Sequence, residues 1–443
     1  MGTTVIRDAL IVTMNASDEI VRGDVKIEGN TITAVGGRQD ADGGRVIEAG
    51  GRVLLPGFVQ THIHLCQTLF RGCADDLELM DWLRKRIWPL EAAHDEESVY
   101  WSAMLGAGEL IRSGTTTILD METVRHADAA FEAIRESGIR AVSGKAMMDH
   151  GEDVPPALME RTEESLEESV RLLEKWNGAA GGRIRYAFSP RFVVSCSEAL
   201  LTAVRDLAER YGVMVHTHAA ENREEIAVVE AERGMRNVVY LDAIGLARPN
   251  LVLAHAIWLD EEEKRIIRER GVKVTHCPGS NLKLASGIAD VPALLDAGVI
   301  VGFGADGAPC NNNLDMFQEM RLAALIQKVR HGPAAMRARQ VLRMATTGGA
   351  EVLGMRDIIG SIEPGKRADL QILDLEDFHV YPSAGADPYS RIVYAATRGD
   401  VDTVMIDGKI VMEGKEVRTI DKARTLREAD RSLARLMERI GWT

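Results

Sequence analysis

Residues 57–65 read Gly57-Phe58-Val59-Gln60-Thr61-His62-Ile63-His64-Leu65. Two imidazoles alternate with apolar residues, and side chains at i and i+2 of a strand share one face. Pro56-Gly57 turns the chain just before this stretch. His62 and His64 are therefore expected side by side at a strand end, as a chelating arm for a first-row metal. A His-x-His pair also occurs in ordinary strands, so the rest of the chain has to decide.

Downstream of Gly57, short apolar strands alternate with helical stretches. Strands are expected over 58–65, 115–121, 140–147, 183–190, 214–220, 251–257, 273–278 and 300–306. Helices such as 198–210, 223–233 and 261–270 lie between them, with apolar residues at i, i+3, i+4 spacing. Eight strands alternating with helices over about 250–300 residues is the count for an α/β (β/α)8 TIM barrel. A doubly wound open sheet is the alternative, but no Gly-x-Gly-x-x-Gly follows the first strand. Residues 3–14, 24–28, 31–35 and 45–48 read as short strands broken by Gly, Asn and Asp, an antiparallel sheet of hairpins. The β rhythm returns near Gly360, with 401–406 and 409–412 as strands, and the charged tail 422–440 is helical. Neither end is large enough to bury a core alone. The expected division is a catalytic barrel over 57–355 and a composite β-sandwich domain from 1–56 and 356–443, with a C-terminal helix.

The bulk numbers narrow the function. The chain has 443 residues, 46% hydrophobic and 27% charged, which makes it globular. No apolar run approaches a membrane span, and Arg7-Asp8 interrupts any signal-peptide pattern, so no membrane partner is expected. The net charge of −14 argues against nucleic acid as a partner, though not against a neutral nucleoside. Five scattered cysteines without a Cys-x-x-Cys pair fit a reducing cytoplasm. A homo-oligomer acting on a small molecule is expected.

Polar residues at barrel strand ends carry chemistry, because catalytic groups sit at the C-terminal rim. Strand one ends with His62 and His64, and strand five with His216-Thr217-His218-Ala219-Ala220-Glu221. Strand six ends at His255 and strand eight at Asp306, in Gly304-Ala305-Asp306-Gly307. One histidine in an apolar strand is more often a core residue than a ligand. Four strand ends aimed at one rim reverse that reading.

These motifs resemble the amidohydrolase superfamily, most closely its purine aminohydrolase branch. That branch includes methylthioadenosine/S-adenosylhomocysteine deaminases, 5′-deoxyadenosine deaminases and guanine deaminases. The resemblance spans nearly the whole chain. Further matches are Asp81-Trp82-Leu83, Pro89-Leu90-Glu91, Ser113-Gly114-Thr115, His276-Cys277-Pro278 with Ser280-Asn281, and Gly360-Ser361-Ile362-Glu363-Pro364-Gly365-Lys366 with Ala368-Asp369.

The resemblance implies that His62, His64, His218 and Asp306 hold one divalent metal, with Zn2+ favoured and Fe2+ or Mn2+ possible on the same donors. Members with two metals use a lysine on strand four, which here ends Ala187-Phe188-Ser189-Pro190 and has none. It further implies that Asp306 takes a proton from the attacking water, His255 orients that water, and Glu221 carries a proton to the substrate ring. Glu91 matches a glutamate that binds ribose hydroxyls. Gln67, Arg191 and Phe192 resemble the base contacts of guanine deaminases, and Arg191 replaces the histidine of many methylthioadenosine deaminases.

The expected function is hydrolytic deamination of an adenine nucleoside: 5′-deoxyadenosine, 5′-methylthioadenosine, S-adenosylhomocysteine or adenosine. The alternative is a guanine, pterin or s-triazine aminohydrolase or chlorohydrolase on the same scaffold. A barrel that has lost its chemistry would have lost ligands first, and all four are present. The His-x-Glu and Pro-Cys-x-x-Cys signature of nucleic-acid-editing zinc deaminases is absent from the sequence.

Overall fold

The computed structural model describes residues 2–442. The N-terminal strands are β1 (Thr3–Val12), β2 (Ile20–Glu28), β3 (Thr31–Val35), β4 (Arg45–Glu48) and β5 (Val53–Pro56). The barrel follows with β6 (Phe58–His64), β7 (Thr115–Glu122), β8 (Arg140–Met147) and β9 (Ile184–Pro190). It continues with β10 (Met214–Ala219), β11 (Leu251–His255), β12 (Lys273–His276) and β13 (Val301–Phe303). Neighbours pair in parallel in this order, and Phe303 of β13 pairs with Gln60 of β6 to close the ring. The expected TIM barrel is the observed fold, with seven of its strands within two residues of the expected bounds.

The eighth strand differs. It stops at Phe303, and a two-residue strand β14 (Asp306–Gly307) pairs instead with Ile63 and His64 of β6. Gly304 is the reason for the break. A Cβ there would lie 2.5 Å from the His62 carbonyl oxygen, so only glycine allows this approach. The chain then swings inward and Asp306 takes a left-handed φ of 61°.

The chain ends build a second sheet. Strands β15 (Leu370–Leu373), β16 (Val401–Ile406), β17 (Lys409–Glu413) and β18 (Glu416–Val417) continue from β5 through one hydrogen-bonded path to β3. The sandwich is thus a single nine-stranded sheet bent over on itself. The Gly29-Asn30 turn meets the Asp407-Gly408 turn, with Asn30 Nδ2 donating to Asp407 Oδ1 at 3.3 Å. The inner face buries Ile6, Ile11, Val25, Ile27, Leu54, Leu370, Ile372 and Met405 together. The expectation of hairpins alone is corrected at two strands, since β4 and β5 both pair with β1 in parallel. Side chains of the other face, such as Val53, Leu55 and Leu373, pack with the barrel.

A buried ion cluster bolts the sheet to the barrel. Arg140, at the start of β8, donates to both oxygens of Asp369 (2.6 and 3.0 Å) and to Asp407 (3.1 Å). Arg140 and Asp369 are both buried, which gives the Ala368-Asp369 motif a structural purpose. Removing one member of a buried pair leaves an uncompensated charge and costs about 3–5 kcal/mol. Arg140→Ala is therefore expected to lower the unfolding free energy by about that much in a denaturant titration, without removing a single ligand of the site described next.

Candidate active site

The site sits at the C-terminal rim, where β6, β10, β11 and β14 deliver their last residues. His62, His64, His218 and Asp306 each offer one donor atom, and these atoms all lie within 4.8 Å of one another. Asp306 Oδ1 is 3.2 Å from His62 Nε2 and 3.3 Å from His64 Nε2. His64 and His218 bring their Nε2 atoms within 3.2 Å. Pairing of β6 with β7 shifts between Gln60 and Ile63, a bulge that re-aims the end of the strand.

Supporting contacts fix the tautomers. His64 Nδ1–H donates to the Met121 carbonyl (2.8 Å) and His218 Nδ1–H to the Arg191 carbonyl (2.7 Å). Each leaves Nε2 with a free lone pair toward the centre, the arrangement metal-ligating histidines use. His62 Nδ1 lies 2.9 Å from His216 Nε2, while His62 Nε2 is buried with no hydrogen-bond partner. Burial pushes His62 down to about 4 and holds His218 well below its usual value, so both imidazoles are neutral and able to ligate. A buried orphan nitrogen beside a carboxylate and two aimed imidazoles fits a divalent cation and little else.

Glu221 and His255 stand next to this cluster. His255 Nε2 is 3.4 Å from Glu221 Oε2 and 3.9 Å from Asp306 Oδ2. Burial pushes the Glu221 carboxyl up to about 7, against the pull of His255, so it can take and give a proton near neutrality. Burial works against a charged His255, but the Glu221 and Asp306 carboxylates outweigh it and raise its pKa. His255 and Asp306 both have φ above 60°, backbone strain of the kind found at functional sites.

A small cavity opens over these groups. Gln67, Arg191 and Phe192 line it, as do Leu79, Trp82, Leu83 and Leu284. Its free volume is about 20 Å³, room for about one water. The roof is the segment from Leu79 to Ala92, two short helical pieces joined by a wide π turn at Leu83–Ile87. Pro89 supplies no N–H to a regular turn there, and wide turns of this kind recur at functional sites.

Glu91 stands beside Gln67 and Arg191. It does not line the cavity but lies behind the wall, buried. Arg191 donates to both its oxygens (2.5 and 3.2 Å), and Gln67 Nε2 donates to Oε1 (2.8 Å). Burial alone would raise the Glu91 pKa, but Arg191 outweighs it and holds the carboxylate ionised. Gln67 Oε1 is left buried without a donor. Gln67 and Arg191 thus line the cavity, and Glu91 bonds to both of them.

Several supporting residues carried no assigned role in the sequence reading. Ser280 donates to Asp306 Oδ2 (2.7 Å), Asn281 Oδ1 accepts from His255 Nδ1 (2.9 Å), and Ser286 donates to Glu221 (3.3 Å). The Ser280-Asn281 motif was the available signal, since polar residues just past a strand end face the rim. His216 was visible in strand five, yet nothing local shows that it backs His62.

The amidohydrolase family profile matches residues 53–411. A 5′-deoxyadenosine deaminase of Methanobrevibacter smithii is 43% identical over 440 residues, 99% of each chain. A 5-methylthioadenosine/S-adenosylhomocysteine deaminase of Pelotomaculum thermopropionicum is 42% identical over 445 residues, covering 99% of this chain and 100% of its own. Among solved structures, an adenosine deaminase of Xanthomonas campestris with bound zinc superposes with a TM-score of 0.90 at 34% identity, over 98% of both chains. With the profile match, the near-full-length relatives and the shared architecture in agreement, this chain belongs to the amidohydrolase family.

Proposed function

We propose that the chain hydrolyses the exocyclic amino group of adenine nucleosides altered at the 5′ position, releasing ammonia and the inosine analogue. The candidate substrates are 5′-deoxyadenosine, 5′-methylthioadenosine, S-adenosylhomocysteine and adenosine. The observation that carries the reading is the convergence of four donor atoms within 4.8 Å, with Glu221 and His255 beside them. The names of the two relatives support the substrate class.

His62, His64, His218 and Asp306 would hold the ion. Three imidazoles and a carboxylate suit Zn2+, while Fe2+ or Mn2+ could use the same donors. Bound there, such an ion supplies Lewis acidity that brings a water's pKa to about 7. His255 orients the attacking water, and Asp306 accepts its proton. Glu221 carries a proton to the ring nitrogen beside the amino-bearing carbon as the water oxygen bonds to that carbon, and the amino group, protonated in turn, leaves as ammonia when its C–N bond breaks. The division of labour follows the chain. Residues 57–355 carry the chemistry, and 1–56 with 356–443 brace the barrel. The five free thiols fit a cytoplasmic enzyme, and among the described residues no helix is long and apolar enough to cross a membrane.

The test is an ammonia-release screen of the metal-loaded protein across purines, nucleosides and triazines. A second reading, guanine deamination, is favoured by one observation: Gln67 and Arg191 line the cavity while Glu91 does not.

The Glu91–Arg191 pair yields a further expectation. Glu91 and Arg191 bond to each other in two places, so they are expected to act on substrate as one unit. Glu91→Ala, Arg191→Ala and the double variant should lose similar factors in kcat/KM for 5′-deoxyadenosine. The coupling in a double-mutant cycle should fall at about 0.5–3 kcal/mol. Additive losses would show that the residues contact substrate independently.

A further inference from the structure

We infer that Glu319 is a positioning residue for the deamination, one buried carboxylate that sets the orientation of both Asp306 and His255. The inference rests on the functional reading above. Glu319 lies in the first turn of the helix Met316–His331, is fully buried and does not reach the cavity. Its Oε2 accepts the Gly279 N–H (2.9 Å), and its Oε1 accepts the Asn311 side-chain amide (2.9 Å). The same Asn311 nitrogen donates to the Ala305 carbonyl (2.8 Å).

The carboxylate thus joins two segments at their roots, while Ser280 with Asp306 and Lys283 with Pro309 and Asn312 link them further along. One is the short helix Pro278–Lys283, which carries Ser280 and Asn281. Ser280 holds Asp306 Oδ2 and Asn281 holds His255 Nδ1. The other is the turn 304–307, which delivers Asp306 after the eighth strand breaks. Fit at the joint is close, since a Cβ on Gly279 would lie 2.5 Å from Glu319 Oε1.

The chemistry of the joint needs a carboxylate. Both arms present N–H donors, so the side chain between them must accept twice. Glutamine has one carbonyl oxygen, and its amide would face one of the donors N–H to N–H. A buried carboxylate is costly unless its oxygens are bonded, and a leucine would fill the space without that cost. What the carboxylate adds is a fixed spacing between Gly279 and Ala305, just before the residues that hold His255 and carry Asp306.

The test compares Glu319→Gln and Asn311→Ala with Phe131→Leu, a buried change on the helix Ala127–Ser137 away from these segments. All are assayed as metal-loaded enzyme. Glu319→Gln should retain one metal per chain and lower kcat about 10- to 100-fold, the usual scale for residues supporting a metal ligand. KM should change by less than about threefold, because substrate contacts are untouched. In Co2+-loaded protein the visible bands should shift as Asp306 changes its angle. Asn311→Ala cuts one arm and should move the same readouts in the same direction, which keeps the claim testable if Glu319→Gln fails to fold. Phe131→Leu should lower Tm while leaving kcat and the cobalt bands unchanged. Wild-type kcat and bands in both Glu319→Gln and Asn311→Ala would overturn the inference, as would an equal kcat loss in Phe131→Leu. If the wild type releases no ammonia from any nucleoside, the functional reading fails, and the cobalt spectra still decide the positioning claim.

Discussion

Glu221→Gln should keep its metal and lose turnover by at least roughly 100-fold, the scale of general acid–base catalysis. Glutamine keeps the shape of Glu221 but cannot shuttle a proton. The residue is buried, 3.4 Å from His255 Nε2, and its carboxyl is raised to about 7 by burial. A group so tuned is half protonated near neutral pH, which suits it both to receive a proton and to deliver one. Metal analysis and steady-state kinetics on the same preparation check the claim. Near-normal turnover would assign the proton transfer to another residue, and loss of the metal would make Glu221 a ligand.

The second large effect concerns the metal itself. His218→Ala or Asp306→Ala should remove the ion and nearly all activity, and the wild type should hold one divalent metal per chain. The four donor atoms lie within 4.8 Å of one another. Lys145, the buried lysine of β8, is spent elsewhere: its ammonium donates to Glu160 (2.6 Å) and Ser165 (3.2 Å), away from the cluster. No lysine on β9 is available to bridge a second ion. Elemental analysis giving two metals in active wild-type protein would contradict the mononuclear site.

Much of the barrel was legible because its signals are local. Short apolar runs punctuated by Gly and Pro placed seven strands within two residues, and alternation put His62 and His64 on one face. The cluster at the rim was legible because histidines and an aspartate at four separate strand ends are unusual in an apolar core, and the family resemblance then singled out His62, His64, His218 and Asp306 among them. What was not legible depends on partners far apart in the chain. Glu91 and Arg191 are 100 residues apart and their pairing leaves no periodic trace. The parallel β1–β4 and β1–β5 pairings look the same in sequence as the hairpins expected there. The break after Phe303 follows from the crowding of Gly304 against the His62 carbonyl, a contact between the first and eighth strands. Glu319 reads locally as an ordinary first-turn glutamate, and only the fold shows it clasped between Gly279 and Asn311.

The kcat/KM of the metal-loaded wild type for 5′-deoxyadenosine and for guanine, measured side by side as ammonia release, decides between a nucleoside and a free base as substrate. 5′-Deoxyadenosine should be turned over with the higher kcat/KM and yield one ammonia per nucleoside. Guanine winning by roughly ten-fold or more, a gap of about 1.4 kcal/mol, would contradict the substrate assignment and make Gln67 and Arg191 readers of a free base.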